Sequence, residues 1–138
     1  MNKISVLLVD DHPIVRKGLR SLLDAEADIQ VIGEAEDGKE AVEKVGRLRP
    51  QVVVMDITMP GLNGLEATRQ IRERFSQVQV VVLTMHTAEE YIFQILRAGA
   101  SGYVVKRAAP SELISGVRAA YRGESFLSPS VSRTVIGE

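Results

Sequence analysis

Val52-Val53-Val54-Met55-Asp56-Ile57-Thr58-Met59-Pro60-Gly61 is the stretch on which the reading of the whole chain turns. A β-branched apolar run that stops at a carboxylate and runs into a Pro-Gly turn predicts a buried strand carrying Asp56 at its carboxyl end. Taken alone, Asp56 reads equally well as a turn residue, because Asp hydrogen-bonds its own backbone in turns. Three other strand ends change that reading.

Upstream, Val6-Leu7-Leu8-Val9 stops at Asp10-Asp11-His12-Pro13, and Pro13 suits the first turn of a helix, where its missing N–H is not needed. Val15, Leu19, Leu22 and Leu23 then form one apolar helical stripe up to about Ala25. Ile29, Val31, Gly33 and Ala35 alternate with Gln30 and Glu34, the pattern of an edge strand. Asp37, with Glu40 three residues on, resembles a capping box and opens a helix that Pro50 ends. Downstream, Asn63-Gly64 leads into a helix to about Phe75, and Val80 to Leu83 is a further apolar run, ending in Thr84. A helix opening over His86 to Glu90 ends at Gly99, Gly102 to Val105 forms a strand ending in Lys106, and Pro110 begins a helix that stops at Gly123. From Glu124 the periodicity is lost.

Five strands alternating with five helices predict a doubly wound α/β domain with a five-stranded parallel sheet. The wholly apolar strands belong inside and the alternating second and mixed fifth at the edges, which favours the flavodoxin-like order 2-1-3-4-5. Right-handed crossovers then place the first and last helices on one face and the other three on the opposite face.

In such a sheet the strand carboxyl ends collect at one edge, and ligands bind where the strand order reverses, here between strands one and three. That edge receives Asp10, Asp11, Asp56, Thr84 and Lys106. Carboxylates about 4 Å apart repel by about 4 kcal/mol per pair at an effective dielectric near 20, so the gathered acids call for a cation. Oxygen ligands without cysteine point to Mg2+, and a metal beside Asp56, with Lys106 and the Thr84 hydroxyl, suits a phosphoryl group. His12 reads as part of the turn into the first helix rather than as a ligand.

Composition limits the alternatives. At 138 residues there is room for one ordinary domain and not for a second. A net charge of −1 with scattered Lys and Arg offers no footprint for nucleic acid, and the absence of cysteine removes disulfide and thiolate chemistry. The apolar run near the N-terminus is too short for a signal peptide core or a membrane span, so a soluble cytoplasmic protein is expected.

The motifs VLLVDDHPIVRKGL, VVVMDITMPGLNGLEATRQIR, VVLTMH and GASGYVVKRA together resemble the receiver domain of two-component response regulators, over roughly residues 3 to 124. The resemblance implies a CheY-like fold in which Asp56 accepts a phosphoryl group from a histidine kinase. It further implies that Asp10 and Asp11 help hold Mg2+, Asp11 directly, along with the Thr58 backbone carbonyl. Thr84 and Lys106 match the switch hydroxyl and the phosphate-binding lysine, and Tyr103 matches the aromatic that follows the hydroxyl inward on activation. Such a domain is a signalling switch and not an enzyme, beyond self-phosphorylation from small donors and autodephosphorylation.

Many receivers have proline directly after the lysine. Here Arg107 follows, which disfavours a cis peptide, since a non-proline cis bond costs about 2.5–4 kcal/mol. Together with GASGYVVK and the tail RGESFLSPSV, this resembles the NarL/FixJ (LuxR-type) transcription regulators, whose receivers precede a helix-turn-helix output domain. Residues 125–138 then read as a linker toward such a domain outside this chain, with DNA contacted only through it and a homodimer formed on phosphorylation. The alternatives are a stand-alone receiver, a degenerate docking module, and a Mg2+-dependent aspartyl-phosphate phosphohydrolase. The last would need an acid two residues after the nucleophile, where this chain has Thr58.

Overall fold

Strands buried on both faces need helices on both, and the chain supplies them in strict alternation. The computed structural model describes residues 3–57, 63–84, 89–105 and 110–128. The elements in order are β1 (Ile4–Val9), α1 (Pro13–Asp24), β2 (Ile29–Ala35), α2 (Gly38–Leu48), β3 (Val52–Asp56), α3 (Gly64–Arg74), β4 (Gln79–Thr84), α4 (Glu89–Arg97), β5 (Gly102–Val105), α5 (Pro110–Tyr121) and β6 (Phe126–Leu127). All pairings are parallel, in the order β2-β1-β3-β4-β5-β6.

Alternation along each strand divides the core in two. Leu7, Val53, Met55, Val80, Val82 and Tyr103 pack with α2, α3 and α4, whereas Val6, Leu8, Val54, Val81, Leu83 and Val104 pack with α1 and α5. This is the division of helices that right-handed crossovers require. β1 and β3 are buried almost throughout, while β2 alternates Ile29 and Val31 inward with Gln30 outward, as an edge strand does.

Local signals position the helices. The Asp37 side chain accepts from Glu40 N at 2.8 Å, and Glu40 Oε1 reaches back to Glu36 N at 2.8 Å, one residue earlier than in an ideal capping box. Asn63 accepts from Glu66 N at 2.9 Å and starts α3. Gly99 and Gly123 follow α4 and α5 with φ of 102° and 79°, the left-handed conformation in which a side chain would be strained.

One expectation needs correction. β5 is not an edge strand, and residues 126–128 are not simply linker: after α5 the chain returns to the sheet and adds β6 beside β5. Phe126 N donates to Ser101 O at 3.1 Å and Ser128 N to Tyr103 O at 3.0 Å. Phe126 joins the core on the α1/α5 face and Leu127 the core on the other, so this short segment is packed from both sides. Among the described residues no helix is long and apolar enough to cross a membrane.

Candidate functional site

The register sets the site. Val9 pairs with Met55, Asp56 with Leu83 and Thr84 with Val105, so the carboxyl ends of β1, β3, β4 and β5 finish at one level. Asp56 is the last residue of β3 and is 2 % exposed; Ile57 N continues the ladder to Leu83 O at 3.1 Å. Asp10, directly after β1, is wholly buried, and its backbone N donates to Ala35 O at 3.0 Å. Its Oδ1 accepts from His12 N at 2.8 Å, an Asx turn that swings the chain into α1.

Asp11 is half-buried beside it. His12 Nδ1 lies 3.0 Å from Asp11 Oδ1 and 3.3 Å from Asp10 Oδ1. One ligand atom from each of Asp10, Asp11, His12 and Asp56 lies within 4.8 Å of the others, at the reversal of strand order between β1 and β3. Two buried carboxylates with a third alongside form a strongly negative pocket, and burying such charge is costly unless a cation balances it. The donor set is oxygen apart from one exposed imidazole. It therefore fits a hard divalent cation such as Mg2+, which takes a few carboxylates and keeps several waters. His12 occupies the N-cap of α1 without a side-chain capping bond, so it stands in the turn and its ring also borders the acids.

Thr84 closes β4 at 1 % exposure. Tyr103 is wholly buried in the same core as Val82 and Val105, and the β4–β5 register sets it diagonally next to Thr84 on one face of the sheet. Thr58, Lys106 and Arg107 lie outside the described residues; Lys106 directly follows the last residue of β5.

Several supporting residues escape a reading of the sequence alone. Arg16 Nη1 donates to the Asp10 carbonyl at 2.6 Å and its Nε to Glu34 Oε1 at 2.7 Å, tying the acidic turn to β2. Arg20 binds the other Glu34 oxygen and Lys44 the Glu34 carbonyl. The Arg20 hydrogen bond, and then that of Arg16, hold the Glu34 carboxyl below its ordinary range against the opposing effect of partial burial. Gly64 abuts the end of β3: its N–H donates to Ile57 O at 3.2 Å, and a Cβ there would lie 2.4 Å from the Asp56 carbonyl oxygen. Asn63-Gly64 signals a helix start; which backbone that start touches is not written in it.

Residues 6–118 match the model of the response regulator receiver domain. The chain is 39% identical over 137 residues to the transcriptional regulatory protein DegU of Brevibacillus brevis, covering 99% of this chain and 58% of that protein's length. The crystal structure of a LuxR-family two-component response regulator from Aurantimonas sp. SI85-9A1 superposes with a TM-score of 0.95 at 38% identity, covering 99% of this chain and 97% of that one. RcsB of Salmonella typhimurium, a response regulator studied for conformational dynamism in DNA interaction, matches with a TM-score of 0.90 at 32% identity, over 99% of this chain and 67% of that one.

Proposed function

Because this chain belongs to the response regulator receiver family, in its LuxR-type (NarL/FixJ) branch, we propose that Asp56 is the residue phosphorylated by a partner histidine kinase and that the phosphoryl group switches an attached output. The observation that carries this is the gathering of Asp10, Asp11 and Asp56 at the β1/β3 reversal, with Asp10 and Asp56 buried. Mg2+ bound by the side chains of Asp10, Asp11 and Asp56 and by the Thr58 carbonyl would supply a Lewis acid that offsets the charge on the transferred group.

The chain's own residues do the rest. An Asp56 carboxylate oxygen forms the bond to phosphorus as the phosphorus–nitrogen bond of the kinase histidine breaks and that nitrogen keeps the electron pair. The new acyl phosphate adds about −1.5 to −2 charges. Lys106 and the Thr84 hydroxyl bind its oxygens, and Tyr103, diagonal to Thr84, passes the change to the face made by α4, β5 and α5. The group biases two states of that face rather than creating one. Thr58 stands where a phosphohydrolase of the aspartyl-phosphate type needs its second acid, so the domain stores the group and does not turn over substrates.

The relatives extend this reading to the whole protein. The chain spans 58% of DegU, a transcriptional regulator, which supports a cytoplasmic transcription factor contacting DNA through an output domain beyond these residues and dimerising when phosphorylated. Incubation with acetyl phosphate and Mg2+, followed by intact mass measurement, tests the core of it. One phosphoryl group per chain, absent in Asp56→Asn, is expected; steady release of phosphate from monoesters over many turnovers would overturn it.

A further inference from the structure

The β5–β6 ladder ends in an unusual way. Ser128 N donates to Tyr103 O at 3.0 Å, and the next acceptor a regular parallel ladder would offer is the Ser128 carbonyl. The hydroxyl takes its place: Ser128 Oγ accepts from Val105 N at 3.1 Å, and Ser128 is 2 % exposed. Val105 is the last residue of β5, and Lys106 follows it. A single side chain from the tail thus closes the final backbone amide before the lysine.

The placement is well supported. Phe126 lies against Gly116 of α5 on one face of the sheet, and Leu127 packs on the other in the core that contains Tyr103. Ser128 precedes Pro129, and a residue before proline is held extended, which suits a strand end. Backbone, hydroxyl and neighbouring packing therefore act together on one site.

We infer that Ser128 is a positioning residue for phosphoryl capture: through the Val105 amide it fixes the end of β5, the residue that Lys106 directly follows in sequence, and so ties residues 126–128 to the phosphorylation site. The inference rests on the receiver reading, since it assigns Lys106 to the phosphoryl group. To the extent that the tail stabilises the phosphorylated state at equilibrium, phosphorylation strengthens the tail's hold on β5 by the same free energy.

Ser128→Ala and Ser128→Thr in the full 138-residue chain, measured for amide hydrogen exchange and for phosphorylation by acetyl phosphate, test it. In Ser128→Ala the Val105 amide should exchange about fivefold faster, the factor of one ordinary net hydrogen bond. Its maximal phosphorylation rate should fall by about threefold to tenfold, less than the 10–100-fold typical of partners that orient a metal ligand directly, with the half-saturating acetyl phosphate concentration unchanged. Ser128→Thr keeps the oxygen and should restore both. In the wild type, phosphorylation should alter exchange at Ser128 and Val105 together. A Ser128→Ala chain with faster Val105 exchange but wild-type phosphorylation would overturn the inference alone and leave the receiver reading standing, as would unchanged Val105 exchange. A wild-type chain that takes no phosphoryl group would overturn both.

Discussion

Gly64→Ala adds one methyl group at the point where α3 meets β3. Its Cβ would lie 2.4 Å from the Asp56 carbonyl oxygen, 2.6 Å from Ile57 Cα and 3.1 Å from the Asp56 carbonyl carbon. Ordinary carbon–oxygen contacts are about 3.3–3.6 Å, so the shortfall is about 1 Å. All three neighbours are backbone, so no rotamer change relieves it. Either the first turn of α3 retreats, breaking the Gly64 N to Ile57 O bond of 3.2 Å, or the Asp56 peptide moves. Overpacking of this kind costs about 1–3 kcal/mol, against which alanine's better helix propensity returns up to about 1 kcal/mol. A displacement of about 1 Å in a reacting group lowers rates by up to about 10²-fold. The expected result is a destabilisation of about 1–2 kcal/mol in urea and a phosphorylation rate by acetyl phosphate lowered about ten- to a hundredfold. Gly18→Ala in α1 is the control, since its Cβ meets nothing within 4 Å; it should stabilise by about 0.5–1 kcal/mol with an unchanged phosphorylation rate. If Gly64→Ala melts with the wild type and is phosphorylated as fast, α3 does not brace Asp56 and the packing argument fails.

Three further outcomes are expected. Asp56→Asn removes one charge from the acid cluster, so in chelator it should be more stable than the wild type, and added Mg2+ should raise its melting temperature less. Saturation at a hundred times Kd stabilises a binding protein by about 2.7 kcal/mol, and equal gains in the two chains would exclude Asp56 from the metal site. Glu34 has a folded pKa lowered chiefly by Arg20, so its contribution is complete above the ordinary glutamate value of about 4.3 and is lost as pH falls through the lower folded value. In urea denaturation across that window, Glu34→Gln should show a shallower loss of stability toward acid, and an unchanged slope would show that the Arg16–Glu34–Arg20 cluster has no role. Arg118 binds both Asp28 oxygens at 2.9 Å and Glu26 at 2.8 Å, tying α5 to the turn before β2, and the Arg118 hydrogen bond lowers the Asp28 pKa. Arg118→Met should lower the melting temperature at low salt and by less at high salt, because these charges are open to screening; a deficit independent of salt would point to lost packing instead.

The parts of the site legible in the sequence share a property: each is the end of a strand whose own residues announce it. Val9-Asp10, Asp56 and Thr84 each follow an apolar run, and parallel pairing brings such ends to one edge whatever the details of packing. Arg16, Glu34 and Gly64 carry no such mark. Arg16 looks like a solvated residue of α1 until β2 lies alongside it, and Gly64 looks like helix punctuation until α3 rests on the Asp56 peptide.

The sequence by itself determined the alternation of strands and helices, the interior and edge assignments of the first four strands, and the identity of the acids at the reversal. Periods of two and 3.6 residues and strand-ending turns are local, so they survive in one dimension. Only the tertiary structure decided that Phe126 and Leu127 form a sixth strand, that β5 is therefore interior, and that Ser128 closes the Val105 amide. Two residues are too few to show a period, and the backbone hydrogen bonds that hold them in the sheet go to Ser101 and Tyr103, more than twenty positions away in the sequence.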